Sequence, residues 1–164
     1  MFEQWKRIAV TLSTAVLVSL GSGVAFAEGH QHSHGAGETA QLTLDNGKKL
    51  TTDNSLRQGM GRIRDALAAD LPAIHSGKAT SEQYRALARK MDDQIAFMVK
   101  NCKLEPKVDA MLHLVLADII AGADAMKTQG GSDAYKGAAK IARALDNYGK
   151  YFDHPGWHGL EHIH

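Results

Sequence analysis

Cysteine occurs once in this 164-residue chain, at position 102, so no disulfide can form within it. No C-x-x-C-H stretch is present either, which excludes covalently attached c-type haem. Neither sign of charge is in surplus, with 19 Lys and Arg against 18 Asp and Glu, so nothing draws the chain strongly to nucleic acid or an anionic membrane. Beyond the first two dozen residues no apolar run is long enough to span a bilayer. No nucleophile stands at a recognisable spacing from a base, and the sequence does not read as an enzyme.

What is present begins with a secretory pattern. Lys6 and Arg7 precede an apolar stretch from Ile8 to Val24, and Ala25-Phe26-Ala27 forms a small-x-small cleavage site. Ser13, Ser19, Gly21, Ser22 and Gly23 interrupt that stretch, as suits a cleaved signal better than a permanent anchor. Residues 1–27 therefore predict an exported, periplasmic product that begins at Glu28 and has no stable membrane insertion. Losing Lys6, Arg7 and Glu3 with the signal leaves 17 residues of each sign, and about 137 residues suffice for one domain with one core. In an oxidising compartment the thiol of Cys102 is a liability unless another chain or a metal occupies it.

Residues 28–40 are rich in Gly and His without apolar period and read as a disordered tail. Residues 41–54 form a lead-in, with Asn46-Gly47 as a two-residue turn signal between short strand-like arms. Residues 55–157 carry four helical patterns. Leu56, Met60, Ile63, Leu67, Leu71 and Ile74 recur by three or four, with Asp53, Asn54 or Ser55 as cap, Gly77 as stop and Pro72 expected to loosen the last turn. Thr80 and Gln83 make a capping box for a second row of Tyr84, Leu87, Met91, Ile95, Met98 and Cys102. Pro106 opens a third helix that is apolar almost all round and hence the most buried. Ser132 or Asp133 caps a fourth, striped by Tyr135, Ala138, Ile141, Leu145, Tyr148 and Phe152. The short links predict an all-α, antiparallel up-down-up-down four-helix bundle, preceded by the hairpin-like segment and the tail, with a His-containing C-terminal tail at 158–164.

In that arrangement the end of the second helix, the starts of the first and third, and the end of the fourth share one level. Helical rise of roughly 1.5 Å per residue puts Met98 and Met60 within about 7 Å of Cys102's level, with His113 two turns into the third helix and His154 closing the fourth. Cys102, His113, Met60, Met98 and His154 thus form a candidate mononuclear metal set. A thiolate, imidazoles and a weak thioether are the ligands of a blue-copper site, whereas zinc more often takes Cys and His without Met. Each residue also has a plain structural reading: a buried thiol, methionines as core filler, His113 bonded to Asp109 or a carbonyl, His154 as a turn residue. His75, at the far end of the first helix, lies outside the set.

The tail offers a second metal site. Cleavage after Ala27 exposes Glu28-Gly29-His30, in which the amine, two amides and the third-position imidazole form a square-planar clamp for Cu(II) or Ni(II), and His32 and His34 add imidazoles. The expected cofactor is copper, with zinc or haem b less favoured. The expected partner is a redox or copper-trafficking protein, and the role electron transfer or copper handling. The competing reading is a non-catalytic metal buffer that binds only through the tail.

The runs Leu56-Arg57-Gln58-Gly59-Met60, Asn101-Cys102-Lys103-Leu104-Glu105-Pro106, Leu112-His113 and Tyr151-Phe152-Asp153-His154-Pro155-Gly156-Trp157 resemble a group of small exported bacterial four-helix proteins. That resemblance implies an exported helical domain concerned with copper. A weaker similarity, of position only, is to four-helix b-type cytochromes, which take a Met early in helix one and a His late in helix four. Met60 and His154 match these by position, but the Pro-Gly turn after His154 departs from the pattern.

Overall fold

The computed structural model describes residues 41–128 and 131–160, which are all-helical apart from turns and isolated bridges. Helix α1 is Asn54–His75, α2 Ser81–Asn101, α3 Pro106–Thr128 and α4 Ser132–Tyr151. The readings placed on the signal, on Glu28, Gly29, His30, His32 and His34, and on His162 and His164 lie outside the described residues.

Local chemistry sets most of the helix ends. Asp53 caps α1 by accepting the Leu56 N–H at 2.7 Å. Pro72 does not end that helix, which runs on to His75 and closes where Gly77 adopts φ 67°. There the Lys78 N–H reaches the Ala73 carbonyl at 2.9 Å and the Gly77 N–H reaches Ile74 at 3.1 Å, a Schellman closure. Thr80 and Gln83 form the reciprocal capping box of α2, and Pro106 is the first residue of α3. The fourth helix departs from expectation. Gly131, at φ 56°, is its cap and no side chain caps it, so Ser132 and Asp133 fall inside the first turn.

Consecutive helices pack on one another, and α1 also meets α4. Near the start of α1, Gly59 faces Met98 near the end of α2: a Cβ at Gly59 would lie 2.3 Å from the Met98 Cγ. Between α2 and α3, Lys127 pairs with Asp92 at 2.9 Å. At the α3–α4 crossing, a Cβ on Gly122 or on Gly137 would stand 2.6 Å from the other's carbonyl oxygen, so the two backbones touch. Asp118 and Lys140 bridge the same pair of helices at 2.7 Å.

Leu56, Met60, Ile63, Leu67, Leu87, Met91, Met98, Ile119, Leu145 and Tyr148 fill one continuous core. Each large side chain sealed there contributes on the order of 1.5–3 kcal/mol relative to exposure. Two expectations of burial are corrected. Tyr135, in the first turn of α4 at the end of the molecule, is partly exposed because packed neighbours run out there. The third helix is not buried all round, since Ala110, His113, Ala117 and Ile120 form a solvent-facing ridge. A helix in a layer this thin keeps one side free, however apolar its sequence.

The lead-in is a minimal hairpin-like turn that runs on as extended chain. Asn46 (φ 50°) and Gly47 (φ 79°) make the tight turn, but only Asp45 and Lys48 pair across it and no strand forms among the described residues. After Lys48 the chain leaves for the end of α4, where Leu50 is bracketed by the Tyr151 carbonyl and the Asp153 N–H, both at 2.8 Å. Burying Leu50 against Phe152 gains more than extending a two-stranded ladder in water would.

Candidate metal site

Cys102 is the residue at which α2 ends. Its backbone turns extended (φ −66°, ψ 142°), while its N–H still bonds the Met98 carbonyl at 2.9 Å. The side chain is half-buried and faces Asp53 and Asp109. Burial, then the negative field and hydrogen bonding of Asp53, then Asp109, push its thiol up to about 11. At neutral pH the sulfur therefore carries its proton. Asp53 moves the other way: burial alone would raise it, but hydrogen bonds from the Leu56 and Lys103 N–H groups, the Cys102 side chain and the Ser55 N–H together outweigh burial and hold the carboxyl below its usual range.

Beside Cys102 a groove of about 230 Å³ opens between α2 and α3, lined by Met98, Val99, Cys102, Asp109, Leu112, His113 and Leu116. It is several times the volume of one water molecule. Met98, 1 % exposed, is its floor and is seated on Gly59 from behind, while Val99 forms an exposed lip. His113 stands on the free ridge of α3 with its side chain 67 % exposed. Its Nδ1 lies 2.8 Å from the Asp109 carbonyl, which can only accept, so Nδ1 carries the hydrogen and donates. That leaves the Nε2 lone pair free, the arrangement in which ligating imidazoles are normally held.

Three of the five candidate ligands, Cys102, Met98 and His113, therefore line one groove, and two do not line it. Met60 is fully buried in the core. His154 is engaged elsewhere: its Nδ1 is 3.0 Å from the hydroxyl of buried Tyr148, and its ring packs against Tyr148 and Trp157 at centroid distances of 5.8 and 5.0 Å. The Tyr148 hydroxyl and His154 Nδ1 share this one hydrogen bond, which fixes the ring in place. Burial first, then Arg57 and Arg64, push His154 below the usual histidine range and keep it neutral.

Asp109 also borders the groove, yet among the described residues no three His, Cys, Asp or Glu side chains converge as a metal site would require. What borders the groove is a thiol and an imidazole over the Met98 side chain, whose sulfur packs on Gly59, 2.6 Å from where a Cβ there would lie. Sequence reasoning missed three features of this end of the bundle. The second bond of Asp53, from its Oδ2 to the Lys103 N–H at 2.6 Å, had no local signal, and neither did the Tyr148–His154 pair. Gly59 carried a faint one, as a glycine in an otherwise strong helical pattern. No family model matches this chain, and no curated protein or solved structure matches it.

Proposed function

We propose that this chain is an exported copper-handling protein of the small bacterial four-helix group it resembles. In this reading it is an antiparallel up-down-up-down bundle whose metal site is the groove at Cys102, Met98 and His113. One observation supports it above the rest: the side chains of Cys102, Met98 and His113 line the same groove, and His113 keeps a free Nε2. Soft sulfur donors favour Cu(I), and zinc sites seldom include a thioether. The copper would bind as a thiolate complex, with the Cys102 proton leaving to solvent. Handling fits better than electron transfer because the groove is open and His113 is largely exposed, so a partner's donors can reach the ion. Val99, 74 % exposed at the lip, gives such a partner an apolar foothold.

Competition for Cu(I) against a chromogenic chelator tests this on the chain that begins at Glu28. A site of one Cu(I) should disappear in Cys102→Ala and weaken at least about tenfold in His113→Ala. Removing residues 28–40 should leave a Cys102-dependent site in place. If that removal abolishes all copper binding, the metal chemistry belongs to the tail and the groove reading fails.

A further inference from the structure

Helices α2 and α3 leave an outer face open among the described residues, and its two strips complement themselves when reversed. On α3 the exposed residues Ala110, His113, Ala117, Ile120 and Asp124 recur by three and four, the spacing of a seam on which a further helix packs. On α2 the neighbouring strip is Asp92, Ala96 and Val99, and it runs out at exposed Lys103 just past the helix end. The strips share one face, because Val99 and His113 border the same groove and Asp92 and Asp124 both pair with Lys127. We propose that two copies of the chain pair through this face, antiparallel about a two-fold axis, and that pairing closes the groove at Cys102. The inference goes beyond the copper reading and does not depend on it.

Pairing of identical faces requires that the face fit its own reverse. Turned end for end about a point between His113 and Ala117, the α3 strip sets each large side chain on a small one. His113 meets Ala117 of the second copy, and Ile120, 42 % exposed, meets Ala110 of the second copy. On α2 the same turn, about a point between Ala96 and Val99, sets Val99 on Ala96 of the second copy. Both midpoints lie at one level, since Met98, Val99, His113 and Leu116 line one groove. Val99 and Ile120 are two of the four large apolar side chains exposed among the described residues, and this arrangement covers both.

Charge selects the antiparallel sense. Lys100 and Lys103, exposed at one end of the face, have no carboxylate partner among the described residues, whereas Asp92 and Asp124 at the other end share Lys127. The two-fold brings Lys103 to Asp92 of the second copy, and the reverse contact repeats it; a parallel pairing would set Lys103 against Lys103. The seam from Ala110 to Asp124 rises about 21 Å and two helices are roughly 20 Å across, so the two copies together bury on the order of 1,000 Å². That is the low end for a specific contact, and the dimer is correspondingly weak, forming at submillimolar concentration. Once formed, it covers the groove mouth between Val99 and His113 and shields Cys102 from solvent.

Sedimentation of the metal-free, reduced chain that begins at Glu28, from micromolar to submillimolar concentration, tests the pairing. The mass should rise toward twice the monomer, and the rate of Cys102 alkylation should fall in step with the monomer fraction. Ala117→Arg, an exposed position at the axis, should weaken pairing at least about tenfold, while Ala69→Arg, exposed on α1, should leave it unchanged. Lys103→Glu, which sets a carboxylate against Asp92 of the second copy, should weaken it about fivefold at low salt. A monomer at every concentration would overturn the proposal and leave the copper reading standing. Pairing as strong in Ala117→Arg and Lys103→Glu as in wild type would put the contact on another face and overturn it too. A dimer in which Cys102 is alkylated as fast as in the monomer would overturn the closure of the groove.

Discussion

Asp53 and Lys103 are joined by a 2.6 Å hydrogen bond from the Lys103 N–H to the Asp53 carboxylate, whose other oxygen caps α1 at Leu56. One side chain therefore ties the start of α1 to the chain just beyond α2, fifty residues away, and brackets Cys102 from below.

Replacing it tests that tie. Asp53→Ala should cost about 2–3 kcal/mol, since it removes a cap and a charge-assisted bond to an otherwise unpaired N–H. The carboxyl is held below its usual range, so its contribution is complete above the ordinary Asp value and is lost as pH falls through the lowered one. Urea unfolding of wild type and Asp53→Asn between pH 2 and 6 should converge at the acid end. Parallel curves throughout would show that the charge contributes nothing.

After burial, the same carboxylate does most to raise the thiol. With the thiol pushed up to about 11, the thiolate fraction at neutral pH is about 100-fold below that of an unperturbed cysteine. The greater nucleophilicity of a more basic thiolate returns about tenfold, so alkylation of Cys102 should run about tenfold slower than that of a free thiol. Asp53→Asn should speed it, and Cu(I) should block it in both. Labelling as fast as in a short unstructured peptide would mean that the field of Asp53 does not reach the sulfur.

His154 sets an acid sensitivity of its own. Its folded value lies below its unfolded one, so the stability it gives is complete above the ordinary histidine range and is lost as pH falls through the lowered value. The melting temperature should therefore decline below about pH 6.5 in wild type and stay flatter in His154→Gln. Trp157, which packs on the His154 ring, reports the local event by fluorescence and is the only tryptophan of a chain starting at Glu28. A signal that does not move over this range would remove His154 from the account.

At the α3–α4 crossing, Gly122→Ala places a methyl 2.6 Å from the Gly137 carbonyl and from the Ile141 Cγ1. Backbone cannot yield as a flexible side chain does, so a loss of about 3 kcal/mol is expected in denaturant unfolding. Gly61→Ala, whose Cβ would meet open space, is the control and should stabilise α1 slightly.

Helix identity was written in local sequence: the three-and-four spacing from Leu56 to Ile74, the Thr80–Gln83 box, Pro106 at a first position. Each is satisfied within one or two turns, by bonds or faces that need no partner elsewhere. The convergence of Cys102, Met98 and one histidine was legible only coarsely, as a shared level. Which histidine faced the groove was not, because His113 and His154 look alike as letters. Tertiary structure separated them by their hydrogen bonds: a carbonyl holds the proton of His113 on Nδ1 and frees Nε2, while the Tyr148 hydroxyl occupies Nδ1 of His154. It also decided that an apolar α3 keeps an open ridge and that burial, and after it Asp53, raises the Cys102 thiol. These outcomes depend on distances between residues far apart in the chain, which packing alone sets.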